Sequence, residues 1–195
     1  MQQGSTLKSD LAISGTKIYS DASWHKKNVP GYGGNPATGI GVHILFPKDD
    51  SDSRLMIQAS THDVCSPLIA EVYALLFAAK ISCRLQLQQG SFLTDNLSLA
   101  KMAASRDINN TNISWRCRQP ISEFFQISHS LNAVYHISRN TNEIAHNCAH
   151  QVLNSRVEPV FSCSRSSHAN VPCPFLQSLL NFQVQGYVIH VVHCL

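Results

Sequence analysis

The chain has 195 residues, 44% hydrophobic and 14% charged, and fifteen Lys and Arg against twelve Asp and Glu give a formal charge of +3. That balance fits one globular domain with a real core, or a domain with an appendage, and it excludes disorder over most of the length. No apolar run approaches the roughly 18 residues of a membrane-spanning helix, and MQQGSTLKSDLAISG at the start has no basic segment followed by an apolar one, so no membrane partner, no secretory signal and an intracellular setting (nucleus or cytoplasm) are expected.

Residues 1–16 are polar and mixed and read as a loose leader. KIYSDASW at 17–24 has the β-branched and aromatic content of a first strand. A loop rich in Gly, Pro and Asn follows from His25 to Thr38. GIGVHILF at 39–46 is a second strand, PKDDSDS at 47–53 a polar turn, and RLMIQAS at 54–60 a third strand. So short a polar link predicts antiparallel pairing of the second and third strands.

The period then changes. Ser66 to Arg84 is rich in helix formers, with Ser66 placed as N-cap and Pro67 at the first helical position. Ile69, Val72, Leu75, Leu76, Ala79 and Cys83 recur at helical spacing. SFLT at 91–94 is a short buried-type strand ending at Asp95, and 96–105 a short helix. Ile113–Cys117 reads as a short strand or extended segment. Pro120 opens a helix over Ile121–Leu131, AVYHIS at 133–138 is the last strand, and Asn142–Asn154 the last long helix, with Thr141 as its N-cap. The order β-β-β-α-β-α-α-β-α implies an α/β fold: a mixed sheet covered by helices. Beyond Arg156 Ser and Cys accumulate, prolines interrupt, and only Phe175–Phe182 suggests a brief helix, so 156–195 reads as an irregular appendage to a domain over 17–155.

The seven cysteines are an odd number and include no C-x-x-C. Without a secretory route this argues against a disulfide framework. The tail gathers Cys163, His168, Cys173, His190, His193 and Cys194, but their spacing fits no structural-zinc pattern.

Three carboxylates sit where open mixed sheets place their sites, at strand ends and adjoining helix starts: Asp21 in the first strand, Glu71 near the start of the long helix, and Asp95 closing the fourth strand. Three acids meeting there repel one another unless divalent cations are bound through oxygen. Two such ions can activate water and stabilise a leaving oxygen in phosphodiester cleavage. Each acid taken alone has a plainer reading: Asp21 as a turn cap, Glu71 as a partner of the helix dipole, Asp95 as the N-cap of the next helix.

Five segments in order, IYSDASW at 18–24, GIGVHI at 39–44, AEVYALLFAAK at 70–80, LTDN at 93–96 and HISRNTNEIAHNCAHQ at 136–151, resemble the ribonuclease H type 1 domain, most closely the plant branch derived from reverse-transcriptase elements. The resemblance covers about 140 residues and implies a ribonuclease H-like five-stranded mixed sheet, strands one to three antiparallel, flanked by helices. It implies that Asp21, Glu71 and Asp95 bind the metal, Mg²⁺ or Mn²⁺, as two ions. Where the bacterial pattern has a fourth acid in an N-E-x-x-D run, this chain has Asn142-Glu143-Ile144-Ala145-His146. The plant branch often carries histidine at this position, so the resemblance implies that His146 completes the catalytic and metal-binding set or assists water and product movement; the plainer reading is a helix-surface histidine. His150, one turn later, either pairs with it or faces solvent.

The sequence departs from the family elsewhere. Ala22 replaces a glycine, the 25–38 loop is longer, and Pro67 and Leu68 replace asparagines that touch the hybrid's minor groove in bacterial members. Leu97 takes a polar place, and the basic extra helix is missing. The candidate nucleic-acid contacts are Ser23, Lys26, Lys27, Asn96, Arg116, Arg118 and Arg139. Lys26, Lys27, Arg116 and Arg118 suit a phosphate backbone, or are simply solvated charge. The leading expectation is a hydrolase that cleaves the RNA strand of RNA–DNA hybrids. A catalytically weakened or inactive retroelement-derived domain that binds nucleic acid or protein, and a decayed reading frame, remain open.

Overall fold

The computed structural model describes residues 4–25, 37–47, 53–62, 64–87, 89–109, 113–129, 132–154, 159–164 and 173–195. In chain order these form β1 (Thr16–Trp24), β2 (Ala37–Leu45), β3 (Arg54–His62), α1 (Pro67–Arg84), β4 (Gly90–Thr94), α2 (Leu97–Ser105), α3 (Trp115–Ile127), β5 (Val134–His136), α4 (Glu143–Asn154), β6 (Val160–Cys163), α5 (Pro174–Leu180) and β7 (Tyr187–Cys194). One mixed sheet has the order β5-β4-β1-β2-β3-β7-β6. β1, β2 and β3 pair antiparallel as expected, and β4 and β5 join β1 in parallel through helical crossovers.

The start of α1 is set locally. Ser66 Oγ accepts from the Ile69 N–H at 3.4 Å, and Pro67 occupies the first turn, where a missing N–H costs nothing. Helix α1 is buried on most of its circumference, Ile69, Ala70, Val72, Leu75, Phe77 and Ile81 included. It lies between the sheet and α3, which buries Cys117, Pro120, Ile121 and Phe124 at helical spacing. Lys80 and Glu123 pair across α1 and α3. On the other side, α4 packs so closely over β2 that a Cβ on Gly41 would lie 1.9 Å from the Ala145 carbonyl oxygen and 2.7 Å from the Ala149 nitrogen. Only glycine allows that approach.

Several expectations are corrected. Among the described residues the sheet has seven strands, not five, because the described parts of the tail, 159–164 and 173–195, are not irregular. β7 pairs antiparallel with β3, and β6 pairs parallel with β7. The tail's strand signal is broken by a register shift between Gln58 and Ala59 of β3, which spoils the two-residue alternation on β7. The leader is not loose over its described part. Thr6 bridges His136, the Gly4 and Leu7 N–H groups donate to the Val134 and His136 carbonyls, and the Tyr19 hydroxyl donates to Asp10. Ile113–Cys117 is not a strand. α3 begins at Trp115 with Pro120 inside it, because the buried Cys117–Pro120–Ile121–Phe124 stripe outweighs the lost N–H. Asn96, not Asp95, caps α2, accepting from the Leu99 N–H at 3.0 Å. α4 begins after Asn142, not Thr141. No described helix is long and apolar enough to cross a membrane.

Candidate active site

Strand register brings the first and third acids together. β1 and β4 run parallel with Tyr19 beside Leu93. Two residues further along each strand, on the same face, stand Asp21 and Asp95. Glu71 reaches them from the second turn of α1. Asp21, Glu71 and Asp95 each offer a carboxylate oxygen, and these lie within 4.8 Å of one another.

The electrostatics of this trio are unfavourable without a counter-charge. Burial and the Asp95 carboxylate raise Asp21 above the usual carboxylate range, opposed by its hydrogen bond to His146. Burial, then Asp21 and Asp95, push Glu71 well above that range, while Arg139 pulls it back. Glu71 Oε2 is closed to solvent and has no hydrogen-bond partner among the described residues. A buried acceptor left unpaired is costly. Three hard oxygen donors, one of them orphaned, at mutual distances a single ion can bridge, fit a divalent cation such as Mg²⁺ or Mn²⁺.

His146 stands beside the trio rather than within it. Its Nδ1 lies 2.6 Å from Asp21 Oδ2, and its Nε2 lies 2.9 Å from an Arg139 Nη2. Arg139 can only donate, so Nε2 accepts and Nδ1–H donates to Asp21, an assignment that follows from the network. The His150 ring meets His146 edge-on at 4.3 Å, and its Nδ1 lies 3.3 Å from Ser23 Oγ. His150 is exposed, yet it lines the cleft.

These groups surround an open cleft of about 350 Å³, lined also by Trp24, Asn96 and Arg139. The Trp24 indole N–H donates to the Val64 carbonyl at 2.9 Å and pins the end of β1 to the approach to α1. Of the predicted nucleic-acid contacts, Ser23, Asn96 and Arg139 line the cleft with the carboxylates. Arg116 and Arg118 do not. They are exposed on α3, where Arg116 lies over the Trp115 ring at 5.1 Å. Lys26 and Lys27 lie outside the described residues.

Two supporting residues escaped the sequence reading. Buried Asn142 donates from Nδ2 to the Ser20 carbonyl at 3.1 Å and lies 3.5 Å from Asp95 Oδ1, tying the start of α4 to two of the acid-bearing segments. Its place at the head of the N-E-I-A-H run was the available signal. His136 donates from Nε2 to the Asp95 carbonyl at 3.2 Å while its Nδ1 accepts from the Thr6 hydroxyl at 2.8 Å. No sequence pattern links residue 6 to residue 95.

A family model described as reverse transcriptase-like matches residues 28–152. No curated protein sequence matches the chain. Among solved structures, the ribonuclease H domain of prototype foamy virus is 18% identical with a TM-score of 0.51, over 75% of this chain and 98% of that one. The protease–reverse transcriptase of the same virus is 17% identical with a TM-score of 0.53, over 72% of this chain and 21% of that one. LC11-RNase H1, isolated from compost by a metagenomic approach, is 12% identical in its complex with an RNA/DNA hybrid, with a TM-score of 0.51 over 71% of this chain and 96% of that one. At such identities the likeness shows the fold, which is ribonuclease H-like.

Proposed function

Because the chain belongs to the reverse transcriptase-like family and has a ribonuclease H-like fold, we propose that it is a metal-dependent endonuclease hydrolysing the RNA strand of RNA–DNA hybrids, of the plant, retroelement-derived branch. One observation carries this reading: three carboxylates converge within 4.8 Å at the floor of an open cleft, with Glu71 Oε2 buried and unpaired. The nuclease unit is assigned to residues 17–155.

Asp21, Glu71 and Asp95 would hold two Mg²⁺ or Mn²⁺ ions. Bound there, the cations supply neutralisation of phosphate charge and a lowered pKa for water. The chain's own side chains orient and hold. His146 keeps the Asp21 carboxylate turned by donating from Nδ1, and Arg139 holds the ring through Nε2. The remaining Arg139 N–H groups suit phosphate oxygens at the cleft. Ser23 and the Asn96 amide suit ribose hydroxyls, since a hybrid is recognised by shape and 2′-OH groups across its minor groove. Arg116 and Arg118 would add phosphate contacts further out, and Lys26 and Lys27 suit the same role by charge. An LC11-RNase H1 structure with a bound hybrid supports this choice of substrate class.

The test is hydrolysis of a hybrid labelled on its RNA strand, across Mg²⁺ and Mn²⁺ concentrations, with Asp21→Asn as control. The expected result is metal-dependent cleavage that Asp21→Asn abolishes. Hybrid binding without cleavage at any metal concentration overturns the nuclease reading in favour of a binding domain.

A further inference from the structure

Far along the sheet from the carboxylates, the tail assembles a second group of ligating atoms, and these are sulfur. β6 and β7 run parallel with Cys163 in register beside Cys194. Cys173 is the N-cap residue of α5, and its side chain makes no capping hydrogen bond. The stacked rings of Phe46 and Phe175, 4.5 Å apart, fix the start of α5 against the end of β2. The outcome is that the Sγ atoms of Cys163, Cys173 and Cys194 lie within 4.8 Å of one another. Cys173 and Cys194 are buried and Cys163 half-buried. No disulfide forms among the described residues.

We propose that Cys163, Cys173 and Cys194 form a Zn²⁺ site with three thiolate ligands and a fourth position open to an exogenous ligand. Three sulfurs select a soft or borderline cation over Mg²⁺ or Ca²⁺, so the site is chemically separate from the oxygen-lined cleft. The geometry is close to what zinc needs. With Zn–S near 2.3 Å, tetrahedral sulfurs stand about 3.8 Å apart, so atoms within 4.8 Å close on the ion by about 1 Å at most. The ligand spacing, nine residues and then twenty, is unlike a zinc knuckle because the site is built by topology, from two adjacent strands and a helix start.

The site also joins two short elements that bury few residues fully. α5 buries only Leu179 along its length, and β6 buries none of its four residues. A cation bridging β6, β7 and α5 adds a cross-link to the apolar contacts already there, and its binding energy becomes folding energy.

The test uses the full chain, reduced and stripped with chelator, then titrated with Zn²⁺ against a chromophoric chelator and with Co²⁺ by absorption. Expected are one Zn²⁺ per chain, a thiolate charge-transfer band with Co²⁺, and a Zn²⁺-dependent rise in Tm. Cys163→Ser and Cys173→Ser each weaken binding at least about tenfold. The exposed-cysteine pair Cys65→Ser/Cys83→Ser and the cleft variant Asp21→Asn keep the full stoichiometry, which separates this site from the carboxylates. Circular dichroism confirms that each variant is folded, and half-buried Cys163 serves should Cys194→Ser not fold. Stoichiometry well below one, binding indifferent to Cys163→Ser and Cys173→Ser, or a stable disulfide between two of the three after reduction overturns the proposal.

Discussion

Glu71 carries one oxygen closed to solvent and faces two further acids. Its ionised form is penalised first by burial and then by Asp21 and Asp95. A carboxyl raised in the folded state gives stability that is full at low pH and lost as pH climbs past the unfolded value toward the folded one. Glu71→Gln removes that loss. In chelator at pH 8 the variant should melt a few degrees above the parent, while hybrid cleavage in Mg²⁺ falls at least about a hundredfold, the upper end of what losing even a supporting group costs a metal site. A melting point equal to the parent's in chelator would contradict the crowding of the three acids. His43 makes a second case, with opposite sign. Its ring stacks on Tyr19 at 5.3 Å, its Nε2 is buried without a partner among the described residues, and burial, then Arg54, lower it to about 4. A histidine depressed from 6.5 to about 4 contributes fully above pH 6.5 and loses that contribution as pH falls toward 4, about 3 kcal/mol in all. Urea unfolding of the parent and His43→Phe at pH 7 and pH 4 should show that difference. Parallel pH profiles would refute it.

At the scale of elements, α4 and β2 decide whether the site forms. Gly41 sits opposite Asp21 in the β1–β2 register, and α4 rests directly on its α-carbon. That seat holds His146 at hydrogen-bond distance from Asp21 and Asn142 near Asp95. Gly41→Ala drives a methyl into the α4 backbone, which no side-chain rotation relieves. It should cost at least about 3 kcal/mol in denaturant unfolding, the upper range for overpacking, and weaken cleavage through the displaced His146. Unchanged stability would mean that α4 is seated differently. Most elements were legible from local signals: Ser66-Pro67 marks the start of α1, and the period change at residue 66 separates strands from helix. The start of α3 was not, because a proline locally signals a helix opening while the buried stripe at 117, 120, 121 and 124 begins the helix before it.

For the whole molecule, β7 is the largest departure from expectation. It covers the β3 edge that would otherwise expose unpaired backbone groups. Val192 pairs with Ile57 and is fully buried. Val192→Asp should lower stability by at least about 3 kcal/mol, the cost of burying an unpaired carboxylate. Below its melting point the variant should cleave hybrid at the parent rate, since β7 lies three strands from β1. A rate that falls in step with Val192→Asp while the protein stays folded would tie the added edge to the cleft.

The linear chain by itself determined the helix that carries Glu71 and the order of the central elements, and it singled out the three acids as candidates. Each of those depends on neighbours a few residues apart, where periodicity and capping are readable. Tertiary structure alone decided the rest: the parallel register that sets Asp21 beside Asp95, the bare α-carbon at Gly41 that admits α4, the leader's path to His136, and the meeting of Cys163, Cys173 and Cys194. Each joins residues separated by ten to more than a hundred positions, and at that range pairing is chosen by packing and hydrogen-bond satisfaction over the whole fold.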